Sequence, residues 1–231
     1  NKCTPAVVYG GEVTDTKTEG IYIASDEKSF NGIIIDGDTR YTINNVKMDL
    51  DGFGDNDWLG TGAGLITIDT AQVTINNSEF NMSGVSRCPV HIGGHSVVTF
   101  NNCKLFNHSE DTDLIPFFCW QIGFRGSNRL AMLTDYGTVY FNNCHLKTNG
   151  WGVGCIDGAT KVKMVFKDST LELSGPRAHG YGVFAIGANE VTLENCILDV
   201  NGYPIMLMAM QGGRFDNKPS VINCRIKGKR F

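Results

Sequence analysis

The sequence predicts an all-β solenoid, in which short strands recur at a steady interval along one domain. Three observations favour this class: a recurring ten-residue phrase, an alternation of apolar and polar residues within each copy, and a composition rich in glycine. The chain has 231 residues, of which 28 are Gly and 42% are hydrophobic. That apolar fraction is ample for one buried core, and the glycines indicate many tight turns. Residues 1–231 are therefore interpreted as a single domain.

The recurring phrase centres on an asparagine that follows an alternating apolar segment. Clear copies are YTINNVKMDL, VTINNSEFNM and VTFNNCKLFN. The marker residues, each the second Asn of the pair or its equivalent, are Asn45, Asn77, Asn102, Asn143, Asp168, Asn195 and Asn223. Successive markers lie 32, 25, 41, 25, 27 and 28 residues apart. A basic period of about 25 residues matches one coil of a solenoid and predicts about seven to eight coils.

Each copy contains two strands that meet at a bend. Apolar side chains occupy alternate positions before the marker, as at Ile43, and after it, as at Met48. The alternation shifts at the marker, as a bend between two strands requires. Asn and Asp tolerate left-handed backbone geometry and hydrogen-bond nearby groups, so the markers predict a ladder of stacked asparagines.

This pattern resembles the right-handed parallel β-helix of the pectin-lyase-like family, whose coils are of similar length and carry asparagine ladders. The resemblance covers the chain from about Ile21 onward and implies a single-stranded right-handed parallel β-helix. Residues 1–20 then form an N-terminal lead-in or cap, and residues 53–62 and 108–135 are loop insertions that flank an outer groove. The resemblance also implies cleavage of acidic polysaccharides as one possible activity, although no catalytic motif of the family can be placed on this chain.

Charge and cysteine usage narrow the function classes. Twenty basic against 24 acidic residues give a net charge of −4, which argues against nucleic-acid binding, and no apolar run is long enough to predict a membrane span. Four of the eight cysteines directly follow a marker, where Val and Ser also occur, and are interpreted as small buried side chains: Cys103, Cys144, Cys196 and Cys224. This usage favours a reduced, cytoplasmic protein, while a processed N-terminus leaves secretion open.

A third strand in each coil predicts an unusual outer face. The segments concerned include GAGLITID, RCPVHIGG, FFCWQIGF and GYGVFAIGA, the third of which covers residues 117–124. They are aligned on Ile68, Ile92, Ile122, Ile156, Ile186 and Met208. This alignment leaves mostly apolar and aromatic residues pointing outward. Because a monomer rarely exposes such a strip, we expect a ligand, a partner subunit or a loop of the same chain to cover it, and we expect function on this face.

Polar residues on the outer face and its loops supply the candidate chemistry. His91 is the leading general base because its side chain titrates near neutral pH. The candidate catalytic residues are His91, Arg87, Tyr181, Arg125 and Arg129. The candidate substrate-binding residues are Phe117, Gln121, Trp151, Trp58, Tyr203 and Cys155. The arginines suit a carboxylate or phenolate on a substrate.

Acidic residues do not predict a metal centre. The stretch from Asp55 to Asp57 is interpreted as a solvated loop, and Asp157 is placed about 14 Å from Asp69, too far for a carboxylate pair. No cysteine or histidine spacing matches a metal site, and no nucleotide-binding motif occurs. We therefore expect neither a metal nor a cofactor.

Three functional interpretations stay open. The first is an enzyme of isomerase or lyase type that moves protons on a small, partly apolar or aromatic substrate. The second is a polysaccharide lyase or glycoside hydrolase acting on acidic glycans, with aromatic side chains stacked on sugar rings. The third is a non-catalytic protein whose apolar outer face or C-terminal coil forms a homo-oligomer interface.

Overall fold

The computed structural model describes residues 8–108, 129–157, 159, 161–174, 180–187, 189–209 and 217–229. Over these residues the chain is all-β, with 25 strands arranged in three sheets of nine, nine and seven strands. None of the described residues belongs to a helix that is long and apolar enough to cross a membrane.

The first sheet contains the strands that follow each asparagine bend. In their order across the sheet they are Val8–Tyr9, Tyr22–Ser25, Lys47–Leu50, Glu79–Ser83, Lys104–His108, His145–Thr148, Thr170–Leu173, Ile197–Val200 and Arg225–Gly228. The pair at the N-terminal edge is antiparallel, and every other pair is parallel.

The second sheet contains the strands that precede each bend. They are Glu12–Val13, Lys17–Glu19, Arg40–Asn44, Gln72–Asn76, Val97–Asn101, Thr138–Asn142, Lys163–Lys167, Glu190–Glu194 and Lys218–Ile222. Here too the first pair is antiparallel and the others are parallel. The described part of the predicted N-terminal lead-in thus adds short antiparallel strands to the edges of both sheets.

The third sheet is parallel throughout. Its strands are Ile33–Ile35, Leu65–Thr67, Val90–Ile92, Arg129–Leu133, Gly152–Ile156, Gly180–Ile186 and Gly202–Met208. The chain visits the third, second and first sheets in turn before it returns to the third, so neighbours within a sheet are one repeat apart in the sequence. This topology confirms an all-β, parallel, repeating architecture and is compatible with a β-helix.

The asparagine bend has the predicted geometry. All seven marker residues, from Asn45 to Asn223, have a positive φ between 50° and 55°. The Asn residues just before the markers stack in a ladder: the Asn76 side chain donates to Asn44 Oδ1 at 2.8 Å, Asn101 donates to Asn76 at 2.9 Å, and Asn142 donates to Asn101 at 3.0 Å. The marker residues form further bonds of the same kind on the exposed side. Side-chain amides thus join successive repeats at the bend, as predicted.

The main core lies between the three sheets. Phe100 and Phe141 stack with ring centroids 5.0 Å apart, and Phe141 stacks on Phe166 at 5.1 Å. The cysteines after the markers are free thiols, and those of the first three repeats concerned, Cys103, Cys144 and Cys196, are buried. The interpretation as small core side chains is confirmed for these three, whereas Cys224 is only partly buried.

The predicted alignment of the third strands is wrong by one residue in several of them. Thr67, not Ile68, pairs with Ile92, and Ala185, not Ile186, pairs with Ile156. Thr67 and Ala185 therefore face the core, while the outward positions are Ile66, Phe184 and Met206. Both faces of this sheet are apolar, so an alternating pattern cannot indicate which face is inside.

The prediction that residues 117–124 supply a third strand is also corrected. The strand between Val90–Ile92 and Gly152–Ile156 is Arg129–Leu133, whose Ala131 pairs with Val90 and with Gly154. The segment 117–124 lies outside the described residues. The insertion predicted over 108–135 thus ends in a strand of the sheet, because RLAML is as apolar as FFCWQIGF and composition does not distinguish the two.

Candidate functional site

The outer face of the third sheet holds a second apolar cluster, separate from the main core. This outer cluster consists of Ala63, Ile66, Cys88, Met132, Trp151, Cys155, Tyr181 and Phe184. Trp58 and Tyr203 pack against it from partly exposed positions, and Tyr181 stacks on Tyr203 with ring centroids 6.2 Å apart. Trp151 is only 5% exposed and Tyr181 only 2%. The apolar strip expected on this face exists, and the chain itself buries it.

One cover is the first insertion, residues 53–62, the Trp58 loop. Its ends are tied to neighbouring repeats: the Gly54 amide donates to Val85 O at 2.7 Å, and the Gly62 amide donates to Asn31 Oδ1 at 2.5 Å. Gly60 has a positive φ of 73°, and a Cβ at that position would lie 2.8 Å from the His91 ring. Glycine is required here because the loop backbone lies directly against His91.

His91 contacts the loop through one ring nitrogen and keeps the other free of described partners. Nε2 lies 2.8 Å from the Trp58 carbonyl oxygen, which can only accept, so Nε2 carries the proton. Nδ1 is buried and has no hydrogen-bond partner among the residues that the structure describes. Burial lowers the pKa of His91, against the opposing effects of the Trp58 carbonyl, Asp57 and Asp135. The ring is therefore neutral at neutral pH, with an unprotonated Nδ1.

A buried charged group lies beside the aromatic residues of the outer cluster. Arg129 is 2% exposed and lies between two carboxyl groups, those of Asp57 on the loop and Asp157 at the end of the next strand. Its Nη1 donates to Asp57 Oδ2 at 2.9 Å, and its backbone amide donates to the same oxygen at 3.2 Å. Its Nη2 lies 3.7 Å from Asp157 Oδ2, and the guanidinium carbon lies 5.8 Å from the centre of the Trp58 ring.

Burial and neighbouring charges shift the pKa values of Arg129 and Asp157. Burial disfavours the charge of Arg129, but Asp57, Cys155 and Asp157 outweigh that effect and hold its pKa above the ordinary value. Burial raises the pKa of Asp157 to about 6, with Arg129 opposing the rise and Asp57 adding to it. Asp157 Oδ2 has no hydrogen-bond partner among the described residues. Asp157 is thus a buried carboxyl group that exchanges a proton close to neutral pH.

The thiol and phenol of the cluster are protonated at neutral pH. Burial raises the pKa of Cys155 to about 12, and burial likewise raises the pKa of Tyr181 to about 12. A thiol in this state is a poor nucleophile. Cys155 therefore contributes packing against Arg129 and the aromatic rings.

Arg87 is fully buried and binds backbone. Its guanidinium donates at 2.5–3.3 Å to the carbonyl oxygens of Glu27, Phe30, Asp51, Gly52 and Gly62. These bonds tie together turns of the first repeats, including both ends of the Trp58 loop. The prediction of a catalytic role for Arg87 stays a prediction, and the described contacts of its guanidinium are with backbone carbonyl oxygens.

The structure brings together most of the residues predicted for the site. Trp58, Trp151, Tyr181 and Cys155 lie in or against the outer cluster, and Arg129 joins them from the corrected strand. Phe117, Gln121 and Arg125 lie outside the described residues. Sequence reasoning missed the two carboxyl groups on Arg129. One signal for Asp157 was present, because an acidic residue directly after an entirely apolar strand needs a partner.

Comparison with known proteins adds no relative. No protein-family model matches the chain, and searches of curated proteins and of solved structures found no significant match. In the part of the chain that is described, no three His, Cys, Asp or Glu side chains come together as metal ligands would. Fold and site define an all-β protein of stacked parallel repeats with a buried charged group on one outer face.

Proposed function

We propose that the protein is an enzyme of isomerase or lyase type, which moves a proton within a small, partly apolar or aromatic substrate on the outer face of the third sheet. The observation that carries this proposal is the placement of two buried carboxyl groups, Asp57 and Asp157, on either side of the Arg129 guanidinium and beside an aromatic wall. Paired titratable groups in unlike environments are typical of acid–base sites.

Asp157 is the proton carrier in this proposal. A carboxyl group whose pKa is about 6 is ionised in a large fraction of molecules at neutral pH, yet remains basic enough to accept a proton. It takes a proton from a carbon next to a carbonyl group and returns it to a second carbon of the same molecule. No oxidant or reductant is needed, because the electron pair and the proton both stay within the substrate and the Asp157 carboxyl group.

Arg129 and the aromatic residues have supporting roles. The guanidinium stabilises the negative charge that develops on the substrate oxygen when the proton leaves, and its effect is enhanced by burial. Trp151 and Tyr181 form the apolar wall that holds the body of the substrate. His91 holds the Trp58 loop in place through Nε2, while its unprotonated Nδ1 is a second basic group on the same face.

The two other interpretations have less support from the described residues. An acidic glycan carries a row of carboxylates and needs several cationic groups, whereas among the described residues the charged group beside the outer cluster contains one, Arg129. An oligomer interface needs exposed apolar surface, whereas Trp151, Tyr181 and Cys155 are buried within the single chain. The proton-transfer interpretation uses both the charged group and its apolar surroundings.

We also propose that the three sheets form a right-handed parallel β-helix, as in the pectin-lyase-like proteins that the sequence resembles. The parallel pairing of strands one repeat apart and the asparagine ladder support this arrangement. Right-handed crossovers between parallel strands are strongly preferred. A reduced, cytoplasmic setting belongs to the same proposal, and it is supported by the six described cysteines, all of which are free.

Deuterium incorporation tests the activity without knowledge of the product. The protein is incubated in D₂O with a panel of aromatic and conjugated carbonyl compounds, and carbon-bound deuterium is detected by mass spectrometry. We expect incorporation with the wild type, a loss of roughly 100-fold or more in Asp157→Asn, and no change in the control Asp199→Asn, whose carboxylate is exposed on the first sheet. Absence of incorporation across the panel, or equal incorporation in Asp157→Asn, would overturn the proposal.

A further inference from the structure

We propose that Asp57 occupies the position of a substrate carboxylate, so that the site takes small carboxylic acids with an aromatic body, and that such an acid displaces Asp57 from Arg129 as the Trp58 loop opens. This inference rests on the proposed function for the location of the site. It specifies the substrate class and the movement that admits the substrate.

The geometry at Asp57 is that of a bound anion. One oxygen, Oδ2, accepts from Arg129 Nη1 at 2.9 Å and from the Arg129 backbone amide at 3.2 Å. Both donors belong to the strand Arg129–Leu133, whereas the acceptor belongs to the Trp58 loop. A carboxylate from a ligand would meet the same two donors, which are suited to an oxyanion.

Asp57 and the next loop residue, Trp58, together resemble an aromatic acid. Trp58 follows Asp57 directly, and its ring lies 5.8 Å from the guanidinium carbon while it packs against the outer cluster. The loop thus presents a carboxylate and a flat aromatic ring together to one cation. When the loop leaves, an arylcarboxylic acid can replace both contacts, with its carboxylate on Arg129 and its ring against the outer cluster.

A second observation separates this site from a purely structural ion pair. Asp157 is 4% exposed, faces Arg129 Nη2 at 3.7 Å, and its Oδ2 has no hydrogen-bond partner in the described part of the chain. Buried oxygens in structural networks are normally hydrogen-bonded. The open acceptor lies beside the donors that hold Asp57, so a ligand on Arg129 is within reach of the group proposed to move the proton.

The loop is held at its two ends and at two places between them. Its described hydrogen bonds to the rest of the chain include those at Gly54 and Gly62, at Asp57, which accepts from Arg129, and at Trp58 O, which contacts His91. Within the loop, Asn56 Oδ1 accepts from the amides of Trp58 and Leu59, so this turn holds its own shape. Hinges at loop ends are typical of segments that open over a site.

Calorimetry with phenylacetate and its uncharged analogue phenylacetamide tests the inference. We expect a wild-type site occupied by Asp57 to bind phenylacetate weakly, because only molecules whose Trp58 loop is open can bind it. We expect Asp57→Asn to bind phenylacetate about 10-fold or more tightly than the wild type, since the internal competitor is weakened. Phenylacetamide should bind weakly to both. In Arg129→Gln, phenylacetate binding should be lost.

The control is Asp55→Asn, which changes an exposed carboxylate on the same loop. It should leave phenylacetate affinity unchanged, and near-ultraviolet circular dichroism checks that each variant keeps its packing. In the wild type, phenylacetate should speed hydrogen exchange at residues 54–62. Equal phenylacetate affinity in wild type and Asp57→Asn, or equal affinity for acid and amide, would refute the inference.

The outcomes separate this inference from the proposed activity. Binding is measured without turnover. Phenylacetate binding with the expected Asp57 dependence but no deuterium incorporation would therefore refute the proposed activity and support the displacement of Asp57. Deuterium incorporation that depends on Asp157 but not on a substrate carboxylate would support the proposed activity and refute the displacement of Asp57.

Discussion

The Arg129 guanidinium lies 2.9 Å from the Asp57 carboxylate, although 72 positions separate the two residues in the sequence. This contact joins the first insertion to a strand of the third sheet and places a charge beside an apolar cluster. The expected properties of the protein follow from this contact, from the second carboxyl group beside it, and from the repeated bend that builds the scaffold.

Removal of the Asp57 carboxylate should destabilise the fold. In Asp57→Ala, Arg129 loses the 2.9 Å contact with that carboxylate and keeps the longer one with Asp157, so a buried cation loses its closest described counter-charge. We expect the free energy of unfolding in urea to fall by about 3 kcal/mol. Asp55→Asn, on the same loop but exposed, should change it by less than about 0.5 kcal/mol, because Asn tolerates the positive φ of 90° at this position. Similar values for the two variants would contradict a stabilising role for the contact.

Stability should depend on pH through Asp157. Its pKa is raised from 3.8 to about 6 in the folded state, so the folded protein binds more protons than the unfolded chain between these values. Its contribution is therefore greatest below about pH 4 and is lost as the pH rises through about 6, by about 3 kcal/mol in total. Asp157→Asn should lack this loss. Urea unfolding at pH 4, 5, 6 and 7 measures the difference between variant and wild type, and a difference that stays constant over this range would disprove the shift.

His91 should hold the Trp58 loop closed. Loss of the bond from Nε2 to Trp58 O in His91→Ala should speed hydrogen exchange of the amides in residues 54–62 by roughly 10-fold. His91→Gln keeps a donor and should retain part of the protection. The control is His95→Ala, because the described ring contact of His95 is with Tyr136, whose ring centroid lies 4.6 Å away, and not with the loop. Unchanged exchange in His91→Ala would show that other contacts hold the loop.

The bend should accept only residues that tolerate a left-handed backbone. Asn102 has a φ of 55° and is exposed, so Asn102→Ala should lower the free energy of unfolding by about 1–2 kcal/mol through backbone strain. Asn102→Asp should cost less, because Asp168 occupies the equivalent place in another repeat with a φ of 50°. Thermal unfolding of the two variants compares them directly. An equal loss in both would indicate that the ladder amide, rather than the backbone, sets the requirement.

Features that depend on residues close together in the sequence were predictable. The left-handed φ at Asn45 and its equivalents follows from the tolerance of Asn and Asp for that geometry. The burial of Cys103 and Cys144 follows from their repeated place after the marker, where an alternating pattern has one apolar side. In the first and second sheets one face is polar, so the register of each strand can be read from the sequence.

The third sheet was predictable only in part. Its apolar outer face, the aromatic residues Trp151 and Tyr181 and the presence of Arg129 were anticipated, while the alignment on Ile68 and the strand at 117–124 were wrong. Apolar residues on both faces remove the alternation that normally identifies the inside. Two apolar segments within one insertion then compete for a single place in the sheet.

The sequence by itself determined the repeat, the bend and the composition of the outer face, because each depends on local backbone preference and on burial of side chains at a short period. Only the tertiary structure decided that Asp57 and Asp157 meet Arg129. These residues come from a loop, a strand and the end of a second strand, which are far apart in the sequence. The sequence does not distinguish an aspartate that is solvated from one that is paired. Burial of an arginine, which needs counter-charges nearby, is the physical condition that selects these partners.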